Sequence, residues 1–287
     1  MKVGFIGSGK VGTSFGMFLY AKKVPLSGYF SRHIETAKQT AKQLSCQAFE
    51  TLEALVLQSD LIGVTVNDDQ IDNVVDDLVA LKLDLSSKIF FHMSGAHDSL
   101  TLKQLNVNAF SLHPLKAFPQ VVESASAFES VVFSLEGATQ VSRDWVESLD
   151  IDYFEIQSDQ KALYHAAAVI VSNYLVTVID FGLNQFAEMG LDKATAMKAL
   201  WPLISGTITN IESFGTEKAL TGPIVRGDCE TIEKHLSVLD VNSKALYKAL
   251  GRHTLTMTQH EETLRNRLSK LFEEANNDKS NNDDISR

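Results

Sequence analysis

Polar side chains interrupt an otherwise apolar stretch of the chain at Lys161, His165, Ser172 and Asn173. On an α-helix the first three fall within about 60° of one another, and Asn173 lies roughly 80° round from His165. Lysine and histidine can give a proton to a carbonyl oxygen that becomes an alkoxide, while a hydroxyl and an amide can orient a bound substrate. We therefore predict that Lys161, His165 and Asn173 are catalytic and that Ser172 contacts substrate, with the proton donor either Lys161 or His165. The alternative is structural: a lysine in an exposed first turn and a histidine hydrogen-bonded in a domain interface.

Two loops add candidates for substrate binding. His113 follows a predicted strand in the segment 111–119, which two prolines stiffen, so its ring could touch a bound ligand or only cap the strand. Arg226 stands between predicted helices in the segment 220–228, beside a glycine on either side of the turn. A guanidinium in that position suits bidentate binding of a carboxylate, whereas a contact with Asp228 would only lock the loop. We predict His113 and Arg226 as substrate contacts.

A glycine-rich turn lies at the start of the chain, between an apolar run at 2–6 and an apolar helical pattern at 15–19. The spacing G-x-G-x-x-G in this strand–turn–helix context is typical of a dinucleotide-binding unit. Its glycines permit the tight turn, the approach of backbone N–H groups to a pyrophosphate and the packing of helix on strand. The motif predicts these cofactor contacts: Gly7, Ser8, Gly9, Lys10, Val11 and Gly12.

The end of the second predicted strand (25–30) indicates which dinucleotide binds. An NAD site would place an acidic residue there for the ribose 2′-hydroxyl, whereas an arginine accommodates a 2′-phosphate. The chain has Ser31 and Arg32, and no carboxylate precedes Glu35. We predict NADP(H), bound by Ser31 and Arg32. A solvated Arg32, and a Ser31 that caps the helix starting near His33, are the structural alternatives.

Strands must alternate with helices through residue 156 to place these residues together. Predicted strands lie at 46–49, 60–66, 88–93, 109–112, 130–135 and 152–156, and predicted helices at 34–44, 51–58 and from after 69 to 80. This alternation implies a parallel sheet with helices on both faces and a ligand crevice at the carboxyl ends of the strands. Asn67, Ser94 and Gly95 fall at such ends, so we predict that they line the cofactor.

Only helices are predicted from Ser158 onward. Ser158 is the expected N-cap of a helix that reaches Met189 and stops at Gly190, followed by helices at 193–203, 205–213, 229–239, 242–253 and 261–274. The predicted fold class is α/β, with a Rossmann-type, mostly parallel sheet domain (1–157) followed by an all-helical domain (158–275). A substrate cleft is expected between the domains. The polar residues 276–287 are predicted to form a disordered tail.

The composition limits the class of protein. With 287 residues, 44% hydrophobic and 22% charged, the chain has the composition of a soluble globular protein, and its net charge of −10 argues against a nucleic-acid or anionic-membrane partner. Two cysteines offer neither a disulfide framework nor a metal cluster, which favours a reducing cytoplasm and no metal site. The first strand leaves no room for a signal peptide, and Ser172, Asn173 and Tyr174 interrupt the apolar segment 166–178, so no membrane span is predicted.

The order of motifs along the chain resembles one family that joins a Rossmann-like domain to a helical domain of unknown function, DUF2520. The motifs are G-S-G-K-V-G, F-S-R, H-M-S-G, S-L-H-P-L-K-A-F-P, Y-H-A-A-A-V-I-V-S-N-Y and L-T-G-P-I-V-R-G-D, within residues 1 to about 272. The family is similar to 6-phosphogluconate dehydrogenase, pyrroline-5-carboxylate reductase and ketopantoate reductase. Relatives have a catalytic lysine followed four positions later by asparagine, where this chain has Lys161 and His165, and many have proline at the position of Asn67.

The resemblance implies an NADP-linked oxidoreductase, and some members serve as an alternative ketopantoate reductase in pantothenate synthesis. It also implies a homodimer formed by the helical domain, for which Phe181, Leu183, Phe186 and Trp201 are candidates, although packing within one subunit would explain them equally. We predict an NADPH-dependent reductase of a small 2-oxo acid, with ketopantoate the best candidate substrate. The alternatives are an imine reductase of the pyrroline-5-carboxylate type, a non-catalytic NADPH sensor, and a deazaflavin as hydride partner.

Overall fold

A computed structural model of the chain describes residues 1–121 and 125–273. The whole predicted tail, residues 276–287, lies outside these ranges. The strands are β1 (Val3–Ile6), β2 (Leu26–Phe30), β3 (Gln47–Phe49), β4 (Leu61–Val64), β5 (Ile89–His92), β6 (Asn108–Pro114), β7 (Phe133–Glu136) and β8 (Tyr153–Ile156). The helices are α1 (Lys10–Ala21), α2 (Ile34–Gln43), α3 (Leu52–Gln58), α4 (Ile71–Ala80), α5 (Leu100–Lys103), α6 (Gln140–Glu147), α7 (Lys161–Glu188), α8 (Lys193–Ala219), α9 (Pro223–Arg226), α10 (Cys229–Val238), α11 (Val241–Thr256) and α12 (Glu262–Phe272).

The strands form one sheet in the order β3-β2-β1-β4-β5-β6-β7-β8. Neighbouring strands are parallel except β6 and β7, which run antiparallel. Parallel neighbours need a long crossover that is usually a helix. Between β6 and β7 the described residues contain only a short 3₁₀ helix (Ala125–Phe128), and β7 turns back along β6. The predicted mostly parallel sheet followed by helices is confirmed.

Each face of the sheet is covered by its own apolar core, because successive strand side chains point to opposite faces. Phe5 belongs to an aromatic core, where its ring stacks on Tyr29 at 5.0 Å and Phe91 packs on Trp145 at 5.6 Å. The next residue, Ile6, belongs to a mainly aliphatic core on the other face. Both cores fix the strands, and therefore the loops at their carboxyl ends.

Helix α7 begins differently from the prediction. Gln157, not Ser158, caps the 3₁₀ turn Ser158–Gln160 that leads into α7, through a reciprocal capping box with Gln160. The hydroxyl of Ser158 instead donates to the buried carboxylate of Glu136 at 2.5 Å. Gly190, with φ of +86°, ends the helix region as predicted.

The chain divides into two compact units whose boundary falls inside α7, between Leu175 and Val176. The first part of α7 therefore belongs to the unit that contains the sheet. In the second unit, two helices were predicted with a break between residues 203 and 205. This break is wrong, because α8 runs without interruption past Pro202 and through that position. The backbone of α8 departs from helical geometry only at Gly215, where φ is 77°. A proline removes one backbone N–H but does not always end a helix.

Apolar side chains in the second unit are divided between a small core and the surface. The core is formed by Cys229, Ile232, Leu255, Leu268 and Phe272. Within the described residues, the helical segment 158–188 is long and apolar enough to cross a membrane, with a mean hydropathy of 1.7 over its best window, of which 6% is buried. The polar residues at 172–174 therefore do not exclude a membrane span on hydropathy alone.

Candidate active site

The glycine-rich turn joins β1 to α1 at the edge of the sheet where the parallel strands end. Gly7 has φ of +103°, and a Cβ on it would lie 2.8 Å from the Thr65 carbonyl oxygen, so a side chain is not accommodated. Gly9 is the N-cap of α1 and provides no side-chain cap, which leaves the first-turn N–H groups available to an anion. A cavity of about 570 Å³ opens here, lined by Gly9, Lys10, Val11, Val64, Thr65, Val66, Asn67, Asp68, Met93, Ser94 and Phe118. These features fit the pyrophosphate of a dinucleotide.

A second cavity, of about 300 Å³, lies beside the end of β2 and includes Ser8, Ser31, Arg32 and His33. Arg32 is exposed, and no ion pair involves it within the described ranges. Thr36, which the sequence reasoning missed, donates its hydroxyl to Ser31 at 3.2 Å and lies 2.8 Å from the hydroxyl of Ser8. Its position in the first turn of the helix predicted after Arg32 is the sequence feature that could have identified it. Hydroxyls and a free guanidinium fit a ribose 2′-phosphate.

Ser94, Gly95 and Asn67 occupy the turns that follow β5 and β4. The Ser94 hydroxyl accepts hydrogen bonds from the backbone N–H groups of Ala96 and His97, at 3.1 and 3.0 Å, and so fixes the turn. Asn67 precedes the 3₁₀ helix Asp68–Gln70 in extended conformation and lines both cavities. Asn67 and Ser94 thus line the cavity beside the glycine-rich turn, whereas Gly95 is not among the residues that line either cavity.

Lys161 is a buried lysine and not one in an exposed first turn. The residue is 1% exposed, and its Nζ donates at 2.6 Å to the hydroxyl of Ser111, which pairs in β6 with His92 at the end of β5. Burial lowers the pKa of Lys161 to about 8, an effect that the charges of Glu136, Asp98 and Asp68 oppose. The ammonium form therefore predominates at neutral pH. Lys161 is not among the residues that line either cavity described above.

The two predicted histidines lie together beside Lys161. The rings of His113 and His165 are 6.3 Å apart, and His165 Nδ1 is buried without a hydrogen-bond partner among the described residues. His113 Nδ1 is 2.5 Å from the hydroxyl of Tyr164. Burial, followed by the charges of Lys161, His165 and His92, lowers the pKa of His113 to about 3, so its imidazole is neutral at physiological pH. The predicted Lys161, His113 and His165 thus form one cluster, which we call the imidazole cluster.

The sequence reasoning missed two members of this neighbourhood, Ser111 and Tyr164. Ser111 is fifty positions from Lys161, and Tyr164 is fifty-one from His113. Contacts between residues so far apart in sequence depend on how β6 and α7 pack together. Neither hydropathy nor residue spacing predicts that packing.

The predicted catalytic residue Asn173 and the predicted substrate contact Ser172 lie apart from the imidazole cluster. Ser172 and Asn173 are exposed and lie about 10–12 Å further along α7 than His165, at 1.5 Å per residue. Arg226 is the exposed last residue of α9, in the second compact unit. No ion pair with Asp228 is found among the described residues, and the Asp228 carboxylate accepts from the Thr231 N–H at 3.0 Å. Hydrogen bonds from Thr231, and then the charge of Arg226, lower the pKa of Asp228, so the alternative in which Arg226 locks the loop rests on charge proximity and not on an ion pair.

Comparisons with known families match both parts of the chain. The family described as NADP oxidoreductase coenzyme F420-dependent matches residues 2–90, and the domain of unknown function DUF2520 matches residues 131–254. A search of curated proteins finds no match.

Solved structures share the fold over most of the chain. BF3122 from Bacteroides fragilis is 20% identical, with a TM-score of 0.70 over 88% of this chain and 96% of its own. TM1727 from Thermotoga maritima is 25% identical, with a TM-score of 0.64 over 94% and 98%. A reductive aminase from Aspergillus terreus, in complex with NADPH4, cyclohexanone and allyl amine, is 13% identical, with a TM-score of 0.61 over 95% and 99%.

Proposed function

We propose that this chain reduces the carbonyl group of a small 2-oxo acid with NADPH. It belongs to the proteins that join a Rossmann-like NADP oxidoreductase domain to a DUF2520 domain. Ketopantoate, reduced to pantoate, is the best candidate. The observation behind this proposal is the buried ammonium of Lys161, held by Ser111 at the sheet edge that also bears the glycine-rich turn. A positive charge out of water strongly favours the alkoxide that carbonyl reduction produces.

The cofactor is held by the glycine-rich turn and by Ser31, Arg32 and Thr36. When bound, NADPH supplies a hydride to the carbonyl carbon. His165 gives the proton to the carbonyl oxygen, since its Nδ1 has no other partner in the described structure, and Lys161 stabilises the developing negative charge. His113, as a neutral imidazole, offers a hydrogen bond without adding charge.

The carboxylate of the substrate is the remaining charge to be bound. We assign it to Arg226, whose guanidinium has no ion-pair partner among the described residues. Ser172 and Asn173 are assigned to the substrate's hydroxyl groups. These three assignments rest on residue type and exposure.

Reduction of an imine is the second candidate, because a reductive aminase shares the fold. The two candidates make opposite demands on Lys161. An alkoxide is stabilised by the ammonium, whereas an iminium ion is repelled by it. Carbonyl reduction should therefore weaken as the pH rises through about 8, and imine reduction should strengthen.

The test is loss of NADPH absorbance with ketopantoate, 1-pyrroline-5-carboxylate, a panel of 2-oxo acids and oxidised deazaflavin as separate acceptors. We expect turnover of a 2-oxo acid that falls at least about 100-fold in Lys161→Met and in His165→Asn. Leu163→Ala, at a position 77% exposed on the same helix, is the matched control and should retain activity. Turnover of deazaflavin alone would identify a different hydride partner. NADPH binding without turnover of any acceptor would instead support a sensor.

We also propose a cytoplasmic homodimer, formed through the helical unit. Trp201, Leu203 and Phe214 on α8 are 57%, 67% and 61% exposed, and contact with a second copy would remove apolar surface of this helix from water. Of the residues predicted for this face, Leu183 is buried within the subunit, while Trp201 remains available. A second copy fits better than lipid, because Asp180 on α7 is paired with Lys193 at 3.0 Å.

A further inference from the structure

Tyr164 is hydrogen-bonded to His113, but the proposed reaction gives the tyrosine no role. The Tyr164 hydroxyl lies 2.5 Å from His113 Nδ1, and their rings meet edge to face, with centroids 5.6 Å apart and planes at 85°. The ring centroid of Phe154 lies 6.0 Å from that of the tyrosine, and Lys161 Nζ lies 5.6 Å from the tyrosine's ring centroid. The hydroxyl is therefore held by contacts that do not depend on the hydrogen bond.

The direction of this hydrogen bond follows from the two protonation states. Burial raises the pKa of Tyr164 and the nearby Ser134 hydroxyl lowers it by less, so the phenol keeps its proton at neutral pH. Burial, and then the charges of Lys161 and His165, lower the pKa of His113, so its imidazole is neutral. Among the described residues, the hydrogen bond found for the Tyr164 hydroxyl is the one to His113 Nδ1, so this nitrogen is the acceptor for the phenol proton. The phenol then donates to Nδ1, and the one imidazole proton resides on Nε2.

The Nε2 side of the ring faces the turn after β5. A Cβ on Gly95 would lie 2.9 Å from His113 Nε2 and 2.6 Å from His165 Nδ1, so both imidazoles approach the backbone at Gly95. Gly95 follows Ser94, which lines the larger cavity beside the glycine-rich turn. The protonated nitrogen is thus presented at the end of the sheet where the proposed reaction takes place.

We infer that Tyr164 is a positioning residue, whose hydroxyl fixes His113 in the tautomer with its proton on Nε2 and so presents a neutral hydrogen-bond donor beside Gly95. This inference rests on the proposed function, since the donor serves the carbonyl oxygen of the substrate. In this role the tyrosine acts on the substrate only through His113. No net proton leaves the pair, because the phenol only shares its hydrogen with Nδ1.

The tautomer can be measured without turnover. Histidine labelled with ¹⁵N in the full-length protein shows by long-range ¹H–¹⁵N correlation which ring nitrogen bears the proton, and His113→Gln assigns the signal. We expect Nε2–H in the wild type and a shift toward Nδ1–H in Tyr164→Phe, which keeps the ring and its packing. Tyr153→Phe removes a hydroxyl that bonds Glu147 at 3.2 Å elsewhere in the same unit, and should leave His113 unchanged.

The kinetic arm uses whichever acceptor is turned over. Tyr164→Phe should lower kcat by about 10- to 100-fold with the KM for NADPH unchanged, as expected when the partner that sets a tautomer is removed. In the His113→Gln background the same substitution should have no further effect, because Tyr164 acts through His113. An Nδ1–H tautomer in the wild type, or one unchanged in Tyr164→Phe, would overturn the inference. Absence of turnover would count against the proposed function only, since the tautomer measurement still decides the role of Tyr164.

Discussion

Titration of the buried Lys161 side chain should largely determine how the rate of the proposed reaction varies with pH. Its pKa is lowered to about 8, chiefly by burial, and the protonated form is the one that stabilises an alkoxide. With a 2-oxo acid, kcat should therefore be highest below pH 8 and fall as the pH rises through it. Measurement of kcat from pH 6 to about 10 at saturating substrate tests this.

Lys161→Met is the matching variant, because methionine fills a similar volume without charge. Its residual activity should be lower at every pH and should lack the alkaline decline. An unchanged decline in Lys161→Met would assign the titration to another group.

Arg32 should determine the choice between the two nicotinamide dinucleotides. Its exposed guanidinium stands beside the hydroxyls of Ser31 and Thr36, where a 2′-phosphate would find a cation and donors. Arg32→Glu should reduce kcat/KM for NADPH about 100-fold or more and leave that for NADH within a few fold, because an acidic residue suits a 2′-hydroxyl. Lys38→Gln removes a cation from α2, the helix that follows Arg32, where it is already paired with Glu35 at 2.9 Å, and should not change the ratio.

At the residue scale, the sequence identified several residues of the candidate site but could not predict which of them are in contact. The helical spacing placed Lys161 and His165 on one face, and the structure brings both to His113. It could not indicate that Lys161 is buried, or that Ser111 and Tyr164 are partners, because these contacts depend on packing between elements distant in sequence. Ser172, Asn173 and Arg226 stay predictions.

At the scale of elements, Glu136 ties β7 to two segments that shape the imidazole cluster. Its carboxylate, 1% exposed, accepts from the Ser99 N–H at 2.7 Å, from the Ser99 hydroxyl at 3.0 Å and from Ser158, which leads into α7. Glu136→Gln replaces one acceptor oxygen by an NH₂ donor that must face another donor. The variant should lose about 1–3 kcal/mol of the free energy of unfolding, measured by urea denaturation.

Glu155→Gln is the control for this prediction. Glu155 pairs with Arg143 at 2.7 Å on β8 but is 43% exposed, so the loss should be within about 1 kcal/mol. Glu136→Gln should also lower the pKa of Lys161 further, because the carboxylate raises it at present. The alkaline decline in kcat would then begin at lower pH. A stable variant with an unshifted pH profile would contradict both expectations.

The boundaries of elements were predictable where local chemistry decides them. The glycine motif predicted β1 and α1, and Gly190 predicted the end of the α7 region. Ser158 was the wrong cap, since a glutamine pair supplied the capping box while the serine hydroxyl was used by the buried Glu136. The antiparallel β7 was not predicted either, because strand direction depends on the connection rather than on the strand's own residues.

At the scale of the whole molecule, the exposed apolar surface of α8 predicts self-association. Trp201→Glu places a charge at a position 57% exposed, where a second copy would have to bury it. We expect light scattering with size-exclusion chromatography to show a dimer for the wild type and a mass near 31.6 kDa for the variant. Val79→Glu, at a position 58% exposed on α4, should stay dimeric. A wild type that is monomeric, or soluble only with detergent, would refute the dimer.

The two tryptophans provide an optical consequence of this architecture. Trp145 is 6% exposed and packed against Phe91 and Phe110 in the sheet-containing unit, whereas Trp201 is 57% exposed in the other unit. Emission from the first should be blue-shifted, and emission from the second should resemble that of indole in water until a partner covers it. With Trp201→Phe, fluorescence would report melting of the sheet unit alone, so comparison with circular dichroism would reveal whether the units unfold in one step or two.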